Sequence, residues 1–188
     1  MASFQSYILD LVQMGEVPLQ AFTQLFELTS YEKGQPFAVL GECSRRVAYI
    51  EAGVLRAYHV NDRGEEYNKT FFTEHMMVGA YSSLITGSPN RVNIDCLTDC
   101  KVWVADYHLI EELYDQYREV ERFARRLAEL FFVRKEKREI ELATLEAKDR
   151  YLIFQQEHPG LEQRIPQYHI ASYLGVSATQ LSRIRSKR

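Results

Sequence analysis

The side chains best suited to chemistry stand at the end of the chain, in ATQLSRIRSKR. Ala178, Thr179, Gln180, Ser182, Arg183, Arg185 and Lys187 are small or hydrogen-bonding residues interleaved with cations, the set that reads base edges and grips phosphate oxygens in a DNA major groove. Leu181 and Ile184 supply an inward side at helical spacing, and Ser177 is placed to cap that helix. Upstream, Pro166 can open a helix over Gln167 to Leu174 whose inner side is Ile170, Ala171 and Leu174. Gly175 closes it and Val176 anchors the turn. A short helix, a glycine turn and a capped helix give the spacing of a helix-turn-helix. The rival reading is a helical hairpin with a solvated basic face.

Charge favours the first reading. The chain carries 23 basic and 26 acidic residues for a net charge of -3, yet from Gln163 onward there are five cations (Arg164, Arg183, Arg185, Lys187, Arg188) and no acid. An acidic body with a basic tip is drawn to a polyanion by that tip. Other chemistries find little. His59, His75, His108, His158 and His169 are scattered, and Cys96 and Cys100 cannot complete a metal site alone, so no metal is expected. No GxSxG motif or activated-cysteine context occurs, and a cupin-like barrel enzyme would need clustered histidine and carboxylate ligands; the chain is read as a non-enzyme. Three cysteines, no signal-peptide pattern and no long apolar run lead to the expectation of a cytoplasmic protein with no membrane partner.

The basic tip needs a scaffold. Residues 1–27 show two short helical patterns broken by Gly15 and Pro18. From Thr29 to about Tyr107 the texture changes to short runs, PFAVL, VAYIEAGVLRAYHV, YNKTFF, RVNIDCL and KVWVAD, divided by turn residues, which predicts an antiparallel sandwich or barrel. Asn61-Asp62-Arg63-Gly64 is the clearest hairpin turn, with Gly64 able to take positive φ. Residues 107–157 contain neither Gly nor Pro and keep a helical period. A stripe of Leu113, Tyr117, Val120, Phe123, Ala124, Leu127, Leu130 and Phe131 can pack on the chain's own sheets and on a second copy of itself. The cluster Arg134, Lys135, Lys137, Arg138 predicts the end of the long helix, with a further helix from about Glu141 to Glu157 stopped by His158-Pro159-Gly160.

The order of these elements, and above all Ile170-Ala171-Ser172-Tyr173-Leu174-Gly175-Val176-Ser177 followed by Leu181-Ser182-Arg183-Ile184, resembles the Crp/Fnr family of bacterial transcription regulators over nearly the whole chain. The resemblance implies an α+β fold: an N-terminal antiparallel β-roll (jelly-roll) like a cyclic nucleotide-binding domain, a long dimerisation helix, and a C-terminal helix-turn-helix. It implies a homodimer joined through Tyr117, Val120, Phe123, Ala124, Leu127, Leu130 and Phe131, and double-stranded DNA as partner, with RNA polymerase a candidate second partner. The implied domains are 1–137, sensor roll and long helix, and 138–188, DNA-binding. Base-reading positions fall on Ala178, Thr179 and Arg183, with only Arg183 long and cationic. The chain ends at Arg188, where most members continue into a β wing, so the expectation is a helix-turn-helix lacking a full wing and a more salt-sensitive grip.

Nucleotide-binding members of the family hold the ribose with a Glu after a Gly and the cyclic phosphate with an Arg. Here Gly79 is followed by Ala80, and Asn90 takes the arginine position with Arg91 beside it, pointing to the opposite face if on a strand. No cofactor is expected, cyclic AMP is disfavoured, and any effector is unidentified. An alternative pocket would draw on Phe71, Phe72, Met76, Met77, Gly79, Tyr81, Ser82, Ser83, Asn90, Arg91 and Tyr117; the simpler reading of the apolar ones is core filling. The leading function is therefore a sequence-specific regulator with a degenerate sensor. The rival is a small-ligand-binding module whose helix pair is structural, marked by Arg183 buried in a salt bridge.

Overall fold

The computed structural model describes residues 1–186. Element order is α1 (Ala2–Leu11), α2 (Glu16–Thr23), β1 (Glu27–Tyr31), β2 (Pro36–Ala38), β3 (Arg46–Ala52), β4 (Leu55–Val60), β5 (Glu66–Phe72), β6 (Met77–Gly79), α3 (Tyr81–Thr86), β7 (Asn93–Cys96), β8 (Cys100–Asp106), α4 (Tyr107–Glu112), α5 (Arg118–Thr144), α6 (Ala147–Glu157), a 3-10 turn (Leu161–Gln163), α7 (Gln167–Leu174) and α8 (Ala178–Ser186). The expected roll, long helix and helix pair are all present. Two compact units divide the chain. One joins Met1–Ala57 with Phe71–Phe131; the other joins Tyr58–Thr70 with the chain from Phe132 onward.

Two four-stranded sheets run in the orders β1-β8-β3-β6 and β2-β7-β4-β5; all their strands belong to the first unit except residues 58–60 of β4 and 66–70 of β5. β3 pairs antiparallel with β8, Val47 opposite Ala105 and Tyr49 opposite Trp103. The unbroken apolar run Val47-Ala48-Tyr49-Ile50 is buried because both faces of β3 are covered. Ala48 and Ile50 join Phe37, Leu55, Phe72, Ile94 and Val102 in one core. Val47 and Tyr49 turn to a second core with Phe4 and Ile8 of α1, Phe22 of α2, and Val120 and Phe123 of α5. Phe4 stacks on Tyr49 at 4.6 Å. Arg56 of β4 and Asp95 of β7 form a sheltered two-point pair at 2.8 and 3.0 Å. At the β3–β4 corner Gly53 has φ +110, and a Cβ there would lie 2.5 Å from Cys100 Sγ.

The second unit packs Tyr151 and Phe154 of α6, Leu161, Ile165, Ile170, Ala171, Tyr173 and Leu174 of α7, and Leu181 of α8 into its interior. Its hairpin tip turns as expected, with Gly64 at φ +77 and Asn61 Oδ1 accepting from the N–H groups of Arg63 and Glu65.

Several expectations need correction. β1, β6 and the short α3 lie where no element was predicted. The basic cluster does not end the long helix. Lys135 pairs with Glu139 at 3.4 Å and Lys137 with Glu141 at 3.6 Å, so the cations run along a continuing helix. The break comes at Leu145-Glu146, where Glu146 is extended (φ -69, ψ 156). A turn separates α4 from α5, so Leu113 and Tyr117 precede the long helix. Pro166 caps α7 from outside at ψ 140 instead of opening it.

Candidate nucleic-acid interface

The helix pair is held by its own sequence at each joint. Gly175 takes the left-handed conformation (φ 69, ψ 35), and the Val176 N–H reaches back to the Ala171 carbonyl at 3.0 Å, closing α7 in the manner of a Schellman turn. Ser177 Oγ accepts from the Gln180 N–H at 3.2 Å while Gln180 Oε1 accepts from the Ser177 N–H at 2.9 Å. This reciprocal capping box satisfies two of the orphan donors at the start of α8. Part of the Gln180 side chain is thereby used inside the fold, leaving its amide NH2 as the end that can donate outward.

Along α8, Leu181 is buried and Ile184 half-buried, while Ala178, Thr179, Gln180, Ser182, Arg183 and Arg185 are exposed. Arg183 makes no side-chain hydrogen bond or ion pair among the described residues. Arg185 lies 3.7 Å from Glu162, whose carboxylate also accepts from Tyr151 Oη at 2.6 Å and Gln155 Nε2 at 2.7 Å. The two cations therefore differ: Arg183 is uncommitted, Arg185 partly engaged. Lys187 lies outside the described residues.

Two arginines that sequence reasoning did not place in the site fix α7. Arg138 of α5 donates to the Tyr173 carbonyl and lies over the Tyr173 ring, 3.9 Å from its centroid. Arg150 of α6 donates through Nε to the Leu174 carbonyl at 3.1 Å and also to the Leu145 carbonyl. They satisfy the last carbonyls of α7 with cations, where the helix dipole favours them. Their targets are backbone atoms 35 and 24 residues downstream, a relation that leaves no mark in side-chain spacing. His158 packs edge-on to Tyr173 and against Phe154. Burial holds its pKa below the ordinary histidine range, and the charges of Arg134 and Arg138 push the same way against the partial rescue from Glu157.

The other candidate residues fall as follows. Phe71 and Phe72 are buried, Phe72 in the core between the sheets, whereas Met77 lies in the helix-side core with Tyr117 packed against it. Met76 is half-buried beside the inter-sheet core. Tyr81 and Ser82 of α3 are exposed, and Ser83 is buried with Oγ accepting from the Ser44 N–H at 3.0 Å. Gly79 sits in β6 and Ala80 is buried. Asn90 is buried and faces inward; its Nδ2 donates to the Val39 carbonyl at 2.9 Å, and its backbone exchanges bonds with Gly41 and Glu42. Arg91 is exposed. The structure thus spreads these residues over two cores, α3 and a loop.

On α5, Val120 and Phe123 are buried in the chain's own core, with Leu127 and Phe131 packed against it and Ala124 half-buried; Leu130 is exposed. The large apolar residues left uncovered on α5 are Leu130, Phe132, Val133, Ile140 and Leu142, with Phe132, Val133 and Ile140 the most exposed at 65, 59 and 57%.

Residues 28–117 match the family model of the cyclic nucleotide-binding domain. Among solved structures, FixK2 from Bradyrhizobium japonicum is 18% identical with TM-score 0.75, covering 86% of this chain and 83% of that one. CLP of Xanthomonas campestris, a c-di-GMP responsive global regulator, is 16% identical with TM-score 0.72 over 92 and 91%. A Eubacterium rectale protein described as a transcriptional regulator of the Crp/Fnr family is 17% identical with TM-score 0.72 over 93 and 83%. A search of curated protein sequences finds no match. Residues 28–117 are thus a domain of the cyclic nucleotide-binding type, carried in a chain with the fold of the Crp/Fnr transcriptional regulators.

Proposed function

We propose that the protein is a homodimeric, sequence-specific DNA-binding transcription regulator whose roll does not take a cyclic nucleotide in the family's usual way. The observation that carries this reading is the exposed face of α8, which presents Ala178, Thr179, Ser182 and an uncommitted Arg183 from a helix capped at its start and braced through α7. A purely structural helix pair would have its arginine spent on an internal ion pair, and Arg183 is not.

The dimer surface belongs on α5, on a face other than the one the helical stripe and the family resemblance implied. At about 100° per residue, Phe132, Val133 and Ile140 fall on the far side of the helix from Val120, Phe123 and Leu127. The first set is exposed and the second is used by the chain's own core, so a second copy meets Phe132, Val133 and Ile140. The roll offers no carboxylate at Ala80 for a ribose, and Asn90 spends its donor on the Val39 carbonyl. A neutral amide committed to a loop is a poor substitute for a phosphate-binding arginine.

The test is selection from a randomised duplex pool by purified protein. Enrichment of an inverted repeat, lost with R183A, supports the regulator reading; no enrichment with folded, dimeric protein contradicts it.

A further inference from the structure

No Asp or Glu follows Glu162, whereas Arg164, Arg183, Arg185, Lys187 and Arg188 all do. This last acid stands in the 3-10 turn Leu161–Gln163, and its side chain is 14% exposed. A carboxylate so sheltered needs donors around it. Tyr151 Oη donates to Oε1 at 2.6 Å, and Gln155 Nε2 donates to Oε2 at 2.7 Å and to Tyr151 Oη at 3.1 Å. These bonds close a ring between α6 and the turn. Gln167 Nε2 fixes the Glu162 backbone by donating to its carbonyl at 3.2 Å. Burial, followed by the Glu162 carboxylate, raises the Tyr151 phenol above its ordinary pKa, so it stays a donor.

Arg185 of α8 is held more loosely than these. Its Nε lies 3.7 Å from Glu162 Oε1, an ion pair longer than a hydrogen bond, and its side chain is 45% exposed. The ring is complete without it. The guanidinium can therefore turn to a phosphate while each Glu162 oxygen keeps a donor, and a fixed negative charge stays behind. Arg183, two residues earlier on α8, has no such acid beside it among the described residues.

We propose that Glu162 sets the sequence-independent share of DNA binding: it neutralises Arg185 in the free protein, so a DNA phosphate must compete with a carboxylate for that cation. The inference rests on the regulator reading and deepens it by dividing the two arginines of α8, Arg183 acting with its whole charge and Arg185 with little of it. A free cation that meets a phosphate releases counterions from the duplex and steepens the log–log salt slope by about 0.9. A cation handed from Glu162 to the phosphate releases those counterions but leaves a carboxylate that recruits one. Its net share of the slope is small, and Glu162 thereby holds down non-specific binding.

Salt titrations of the full chain on a selected duplex and a random duplex of equal length test it. Glu162→Gln removes the charge and keeps the shape, since Gln155 can turn its amide over to present an acceptor. The proposal expects E162Q to tighten both duplexes by the same several-fold factor at low salt and to steepen both slopes by about 0.9 per bound protomer. Arg185→Gln should reverse that steepening in the E162Q background and scarcely alter the slope in otherwise wild-type protein. A Glu162 that only supports the fold gives the opposite pattern, a loss larger on the selected duplex with the slope unchanged, and that result would overturn the proposal. Should E162Q melt well below the wild type, R185Q alone decides, because its side chain is exposed: a slope flattened by about 0.9 per protomer contradicts the proposal, and a slope left nearly unchanged supports it. Wild-type protein that binds no duplex would sink the regulator reading separately. Elution from heparin then carries the test: E162Q leaving at higher salt than the wild type, with no such gain in the R185Q background, supports the role of Glu162, and co-elution of E162Q with the wild type contradicts it.

Discussion

Arg183 and Ser177 occupy the same helix and answer to different physics. Arg183 has no side-chain partner among the described residues, so R183A should leave the melting temperature nearly unchanged while weakening operator binding by roughly 5- to 150-fold, the range expected of about 1–3 kcal/mol per base-reading arginine. Calorimetry and anisotropy titration separate the two effects. Ser177 is part of the fold, and S177A should cost about 1 kcal/mol of stability, visible in denaturant unfolding. Asn90 extends the contrast. N90A removes a buried donor from the Val39 carbonyl, and a loss of about 1–3 kcal/mol is expected, with no cyclic nucleotide affinity to lose. At this scale the sequence was legible where function follows from side-chain type and local spacing, as with the Ser177 cap. It was not legible for Arg138 and Arg150, whose targets are distant carbonyls; the S-x-x-Q spacing of Ser177 and Gln180 does carry the capping-box signature, a signal that reading Gln180 as a base contact passed over.

Elements carry two further predictions. The exposed ridge on α5 predicts that F132E/I140E converts the dimer to monomer in analytical ultracentrifugation, whereas V120A destabilises the roll instead. The α6–α7 packing predicts acid sensitivity. His158 titrates below its unfolded value of about 6.5, so the unfolded chain binds more protons in that window. Stability is full above pH 6.5 and falls as pH drops from there through the lowered folded pKa. Melting curves from pH 7.5 to 5 should show this slope, and H158Q should flatten it. The helical period of 107–157 was plain in sequence, but the direction of its apolar face was not. Both faces carry apolar residues, and only packing reveals that Val120 and Phe123 turn inward and Phe132, Val133 and Ile140 outward. The continuation of α5 through its basic cluster was likewise hidden, because its compensating acids, Glu139 and Glu141, lie beyond the cluster and not at a helix end.

For the whole molecule, polarity decides behaviour. The cations from Gln163 onward stand apart from an acidic remainder, so association with DNA should weaken steeply with salt while the body repels non-specific contact. The order of roll, long helix and helix pair could be read from changes of texture along the chain, since each texture has its own period. The membership of residues 58–70 in the same compact unit as the helix pair could not, because it depends on bonds between residues some hundred positions apart. The most direct measurement is the affinity of wild-type protein and R183A for a duplex selected from the random pool, titrated at several salt concentrations. The account predicts two protomers per duplex, log affinity falling linearly with log salt for both proteins, and a marked loss with R183A at every salt. Equal affinities for wild type and R183A, or binding that ignores both sequence and salt, would contradict it.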